Sequence, residues 1–208
     1  MMVVASRSRF HRSVGEGALA LALMLTVLVP SAKSAQDASS FITDVGSRGI
    51  QALRPDIPSP DRLLRFRQLL QEAFDLPGIG LFALGRYRSS TTPQEQQEFF
   101  RLYPDLTIRA LSTRLDEYGG GSFRVTTTRP FGTETVVSSE LVRANGSRVQ
   151  MDWYLTDSGS QYRITDVTVA GVSMKAALRE QFASWIETNG GRVSALLAVL
   201  RQQTAQLR

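Results

Sequence analysis

Asp152 and Asp166 are the two side chains of this chain best spaced for acid–base chemistry. A pair of carboxylates on neighbouring strands could protonate a leaving group and activate water, as glycoside-type hydrolases do. Asp152, however, alternates with Trp153 and so points away from the apolar Trp153 face. No second feature supports catalysis, and exposed strand carboxylates carry the same pattern. The remaining composition excludes more chemistry than it offers. The single histidine is His11, and there is no cysteine. Beyond residue 34 the chain therefore lacks Ser–His and Cys–His nucleophile pairs and the usual zinc ligands. It also lacks the one side chain that titrates near neutrality unaided. These absences point away from an enzyme and from a resident metal or cofactor.

The acids sit in the stretch around which the chain is organised, Val149 to Met174. Val149, Met151, Trp153 and Leu155 alternate with polar residues, the period of a strand with one apolar face. Asp157-Ser158-Gly159 supplies turn chemistry. Tyr162 and Ile164 resume the alternation, and Val167 and Val169 continue it one residue out of phase. That shift at Thr165-Asp166 predicts a β-bulge, which bends and twists a strand. Gly171 ends the strand, and Ser173 is placed to cap a following helix.

The N-terminus reads as a secretory leader over residues 1–34. Arg7, Arg9 and Arg12 precede an apolar run from Gly17 to Val29, and Ala32-Lys33-Ser34 offers small residues for cleavage. The run is short against the ~20 residues that span a bilayer. Residues 35–208 would then form one domain. Removing the leader takes away Arg7, Arg9, Arg12, Lys33 and Glu16, lowering the net charge from +5 to +2. A weak positive charge with no basic run does not suggest nucleic acid. Lacking disulfides, the domain must be held by its core alone, and its length suffices for that.

Helical spacing predicts a helix over 38–53 despite Gly46 and Gly49, and a second to about Asp75. Ser59-Pro60-Asp61 reads as the start of the second, with Ser59 as cap. Pro77-Gly78 reads as a break before a short helical segment over 79–84, ended by Gly85. Thr92-Pro93-Gln94-Glu95 is a capping box with proline at the first helical position. Pro104 falls inside the helix it opens, which predicts a kink or a break near Tyr103. Gly119-Gly120-Gly121 marks the change from helix to sheet. Strands over 122–129 and 133–143, an Asn145-Gly146 turn, and the two strands of the central stretch give four in a meander. Helices over 173–187 and 193–203 close the chain. Helices, then strands, then helices is an α+β order, a curved four-stranded antiparallel sheet covered by helices.

In order and spacing, several short runs then resemble one family. They are Arg65-Phe66-Arg67 with Phe74-Asp75, Leu84-Gly85-Arg86-Tyr87, Phe99-Phe100, and Asp152-Trp153. Asp166-Val167 with Val169 and Gly171-Val172-Ser173-Met174 is the most specific, and Arg179, Phe182 and Ile186 follow. Together they resemble the MlaC or toluene-tolerance family of periplasmic lipid carriers. Pro104 departs from that pattern, as does Ile79-Gly80-Leu81, which lacks a basic residue often found there.

The resemblance implies an apolar cavity between a curved sheet and helices, holding acyl chains with the headgroup outside. It implies a monomeric carrier of phospholipid, or of a hopanoid-type lipid, that helps maintain outer-membrane lipid asymmetry. Its partners would be an inner-membrane ABC transporter complex and an outer-membrane lipoprotein–porin complex. By periodicity alone, an apolar sheet face under amphipathic helices is normally just a solid core, and a periplasmic adaptor without ligand is the other alternative. The apolar faces offer Phe82, Tyr103, Val149, Met151, Trp153, Val167, Val169, Met174 and Phe182 as cavity-lining residues. Arg86, Arg88 and Arg109 flank apolar segments near the expected mouth and are candidates for partner docking.

Overall fold

The computed structural model describes residues 35–112 and 121–205. The leader and Gly119-Gly120 lie outside the described residues. The chain forms α1 (Ala35–Ala52), α2 (Ser59–Ala73), α3 (Leu76–Leu84), a 3-10 turn (Gly85–Ser90) and α4 (Pro93–Ser112). The sheet follows as β1 (Ser122–Phe131), β2 (Glu134–Val142), β3 (Arg148–Asp157), β4 (Tyr162–Val169) and β5 (Val172–Ser173). Helices α5 (Met174–Thr188) and α6 (Val193–Thr204) complete the described chain.

All strands pair antiparallel with their chain neighbours, in the order β1-β2-β3-β4-β5. The sheet has five strands, one more than the pattern predicts. Ala170 and Gly171 both take positive φ, 49° and 83°, and fold Val172-Ser173 back against Val169 and Thr168. A two-residue strand is too short to show a period, and alanine is not a turn signal at positive φ. The bulge at Thr165 is present: Tyr154 pairs with Asp166 and Leu155 with Ile164, leaving Thr165 between them. A second bulge, at Thr126, interrupts β1.

Local chemistry sets most helix boundaries. The Glu95 amide donates to Thr92 Oγ1 at 3.2 Å and the Thr92 amide donates to Glu95 Oε2 at 3.0 Å, the expected capping box. Ser59 is not a cap but the first residue of α2, after Pro58; its hydroxyl accepts from the Arg62 guanidinium at 3.0 Å. Pro77-Gly78 does not separate two elements. It lies in the first turn of α3, where Asp75 accepts from the Gly78 amide at 3.0 Å and proline's missing N–H costs nothing. Helix α4 runs unbroken through Pro104. The helix is held on both sides of the proline by buried Phe99, Leu102, Tyr103 and Ile108, so packing outweighs the lost backbone bond.

Two apolar clusters fill the interior. In the first, Val137, Trp153, Leu155, Ile164 and Val167 of the sheet meet Ala38, Ile42 and Val45 of α1 and Leu69 and Ala73 of α2. Gly46 makes this contact possible, because a Cβ there would lie 2.2 Å from the Phe123 ring. The glycine that weakens α1 as an isolated helix is the one that seats it on β1. In the second, α3, α4, α5 and α6 pack around Phe99, which stacks on Tyr103 at 5.0 Å and meets Phe182 edge-on at 5.7 Å.

Candidate lipid-binding site

The apolar side of the sheet is built by strand alternation. Register places Met151 opposite Val169 and Trp153 opposite Val167. Across β2, Val149 faces Leu141 and Trp153 faces Val137. Five of the expected lining residues therefore share one face: Val149, Met151, Trp153, Val167 and Val169. Trp153 is buried, and its indole N–H donates to Ser139 Oγ at 2.8 Å, so the one polar atom it brings to the interior has a partner. Met151 and Val169 are half-buried against the cluster of Trp153.

The other four lining candidates lie elsewhere. Tyr103 and Phe182 belong to the helical cluster. The Tyr103 hydroxyl donates to the Leu76 carbonyl, tying α4 to the start of α3. Burial, and then the charge of Asp75, pushes the Tyr103 phenol well above the ordinary tyrosine range. Phe82 and Met174 are exposed.

Sequence reasoning missed an open cleft of about 520 Å³ between α1, the end of α2 and the β3–β4 turn. Phe41, Val45 and Ala73 line it, and all three belong to or pack on the cluster of Trp153. Arg48, ion-paired to Glu72, and Arg163 edge it. The Arg163 guanidinium donates to the last carbonyls of α2. Their partners lie far off in sequence, so no spacing rule could have brought them together.

The expected docking arginines separate as well. Arg86 pairs with Glu187 at the end of α5, donates to the Tyr87 hydroxyl at 2.9 Å and lies over its ring. Arg88 is exposed beside it. Arg109 instead donates to the Gln203 carbonyl near the end of α6. Arg86 and Arg109 are thus held by different helices, Arg86 by the end of α5 and Arg109 by the end of α6.

The two acids have structural partners. Asp152 accepts from Ser138 Oγ at 2.6 Å. Asp166 is 6% exposed and uses both oxygens. Oδ1 accepts from the amides of Val167 (2.8 Å) and Lys175 (3.0 Å), and Oδ2 accepts from Ser173 Oγ (2.5 Å). Ser173 in turn caps α5, accepting from the Ala176 amide at 3.2 Å. The run Asp166…Ser173 is thus one joint, a carboxylate at the positive end of a helix that fixes α5 to β4.

A family model described as "MlaC protein" matches residues 50–202. The chain belongs to the MlaC family. Among curated relatives, it is 22% identical over 165 residues to the intermembrane phospholipid transport system binding protein MlaC of Haemophilus influenzae, covering 76% of each protein. Among solved structures, it matches the phospholipid-binding protein of Ralstonia solanacearum, determined in complex with a phospholipid. That match has a TM-score of 0.70 and 24% identity, and covers 82% of this chain and 98% of the other. The MlaC-family fold therefore extends through the sheet and both sets of helices. The Asp166…Ser173 joint lies within the residues that the family model matches.

Proposed function

We propose that this protein is a periplasmic carrier that shields the acyl chains of a phospholipid between its curved sheet and its helices. The carrying observation is the match of the MlaC family model over residues 50–202. The physics agrees with it. Exposing acyl chains to water costs ~0.8 kcal/mol per CH₂, so two long chains cost on the order of 20 kcal/mol. An apolar pocket removes that cost, while a charged headgroup is expensive to bury and stays outside. Such a protein needs apolar area and shape, not a nucleophile or a metal. Among the described residues no helix is long and apolar enough to cross a membrane.

In this reading Val149, Met151, Trp153, Val167 and Val169 form the sheet wall. Ile42 of α1 and Leu69 of α2 form the helical side, and the cleft over Phe41, Val45 and Ala73 is the entrance. Residues 1–34 direct secretion. Lipid is exchanged with an inner-membrane ABC transporter complex and an outer-membrane lipoprotein–porin complex.

The test is the lipid content of protein purified from the periplasm without detergent, read by mass spectrometry. Phospholipid should co-purify, and the same spectrum would report a hopanoid if that were the cargo. Met151→Arg and Val169→Glu should lose the lipid while circular dichroism stays native. A solid core would instead unfold around the unpaired charge. Protein that carries no lipid and takes none from vesicles would overturn the proposal.

A further inference from the structure

Among the described residues, Leu64, Phe82, Phe131, Val172 and Met174 are large apolar side chains left exposed. Three of them gather at one corner, where α3 passes the start of α5. Phe82 is 38% exposed, Val172 56% and Met174 38%. The same corner carries two cations on the Phe82 ring. Lys175 Nζ lies 5.2 Å from its centroid and Arg179 Cζ 5.3 Å. These cations stand one helical turn apart on α5, and Lys175 is the only lysine after residue 34. The neighbouring acids do not neutralise them. Asp166 is turned inward onto the helix start, and Glu187 is paired with Arg86. Glu180 lies five positions after Lys175, about 140° round the helix.

A corner that presents exposed aromatic, aliphatic and thioether side chains with cations at their base has the composition of an interfacial membrane contact. The apolar groups enter the headgroup region, and the cations meet lipid phosphates. The aromatic ring pre-positions both cations on the side from which the apolar groups project. We propose that Phe82, Val172, Met174, Lys175 and Arg179 dock this protein on the surface of an anionic lipid bilayer. The surface lies outside the sheet–helix interior and does not depend on the identity of the cargo.

The test is vesicle flotation with protein recovered from the periplasm. Vesicles of phosphatidylcholine alone are compared with vesicles of phosphatidylcholine and phosphatidylglycerol. The protein should float with the anionic vesicles at low salt, float far less with the neutral ones, and be released as salt rises. Each basic charge near such a surface is worth about fivefold in partition, so Lys175→Glu with Arg179→Glu should lower binding by well over tenfold. Phe82→Ser with Met174→Ser should lower it at least fivefold. Leu64→Ser, away from the corner, should leave it unchanged. No flotation at low salt, equal binding to both vesicle types, or corner variants that float like the parent would each overturn the proposal. So would corner variants that float normally yet lose capture by membrane-embedded proteins, since the corner would then fit an acidic protein face. Lipid content and circular dichroism of the same samples keep a failure of docking distinct from a failure of the carrier reading.

Discussion

Asp166→Ala should loosen the joint between β4 and α5 without touching the apolar wall. Three donors reach the carboxylate: the amides of Val167 and Lys175 and the hydroxyl of Ser173. Bonds to a charged acceptor are worth about 1.5–3 kcal/mol each, and part of that is offset because the buried carboxylate no longer has to be desolvated. The favourable charge at the α5 N-terminus, about 0.5–1 kcal/mol, is lost as well. The net cost is about 3–4 kcal/mol, or a fall of about 10 °C in melting temperature for a domain of this size. Asp166→Asn is the informative companion. Its amide oxygen can still accept both amide hydrogens, and its NH₂ can donate to Ser173 Oγ, so the charge goes and the Ser173 hydroxyl hydrogen must turn to another acceptor, at about 1–2 kcal/mol in all. Denaturant titration of the three proteins should give parent, Asn and Ala in that order. The lipid carried per folded molecule should be unchanged in both variants. If Asn and Ala destabilise equally, the charge-and-geometry account fails. If Ala keeps parental stability but loses an activity, Asp166 is chemical rather than structural.

Gly46→Val should cost about 1–3 kcal/mol and lower the denaturation midpoint, because its side chain must displace the Phe123 ring. Gly49→Ala has room, 3.8 Å from Leu69 Cδ2, and should leave stability level or raise it. The raised Tyr103 phenol means that the folded state holds its proton beyond the ordinary value. Its stabilisation is therefore complete below about pH 10 and is lost as pH rises above that. Tyr103→Phe should flatten the alkaline limb of a stability–pH curve, with Tyr162, also raised by burial, retaining part of the slope. Arg86→Glu or Arg88→Glu should slow lipid transfer to a reconstituted transporter at low salt and leave lipid loading intact. Equal transfer rates at low and high salt would remove both from the docking surface.

What was legible in the sequence was mostly local. Thr92 with Glu95 names its own partners three residues away, and Ser173 stands directly before the helix it caps. The bulge shows because an extra residue moves Val167 and Val169 out of phase with Ile164. What was not legible depended on distant partners. Helix α3, LPGIGLFAL, has no polar face, so nothing in it says that Phe82 looks outward while Ala83 and Leu84 look in. Asp166 reads as an exposed strand acid until α5 is laid across the strand's end. Arg86 and Glu187, and Arg109 and Gln203, pair across 101 and 94 positions of sequence, a separation that no period records. Pro104 misled because a proline's local cost is visible in sequence, and the packing that outweighs it is not.

The neighbour-to-neighbour order of the sheet also bears on how the molecule assembles. Each strand finds its partner across a short turn, so β1 to β5 can zip from local hairpins with little loop-closure entropy. Helix α1 cannot. Its seat on Phe123 is formed only after α2, α3 and α4 have been passed and β1 has been made. The sheet is thus able to exist before its lid, and in that interval the face of Trp153 and Val167 is bare. For a newly made chain, that is the surface most exposed to aggregation.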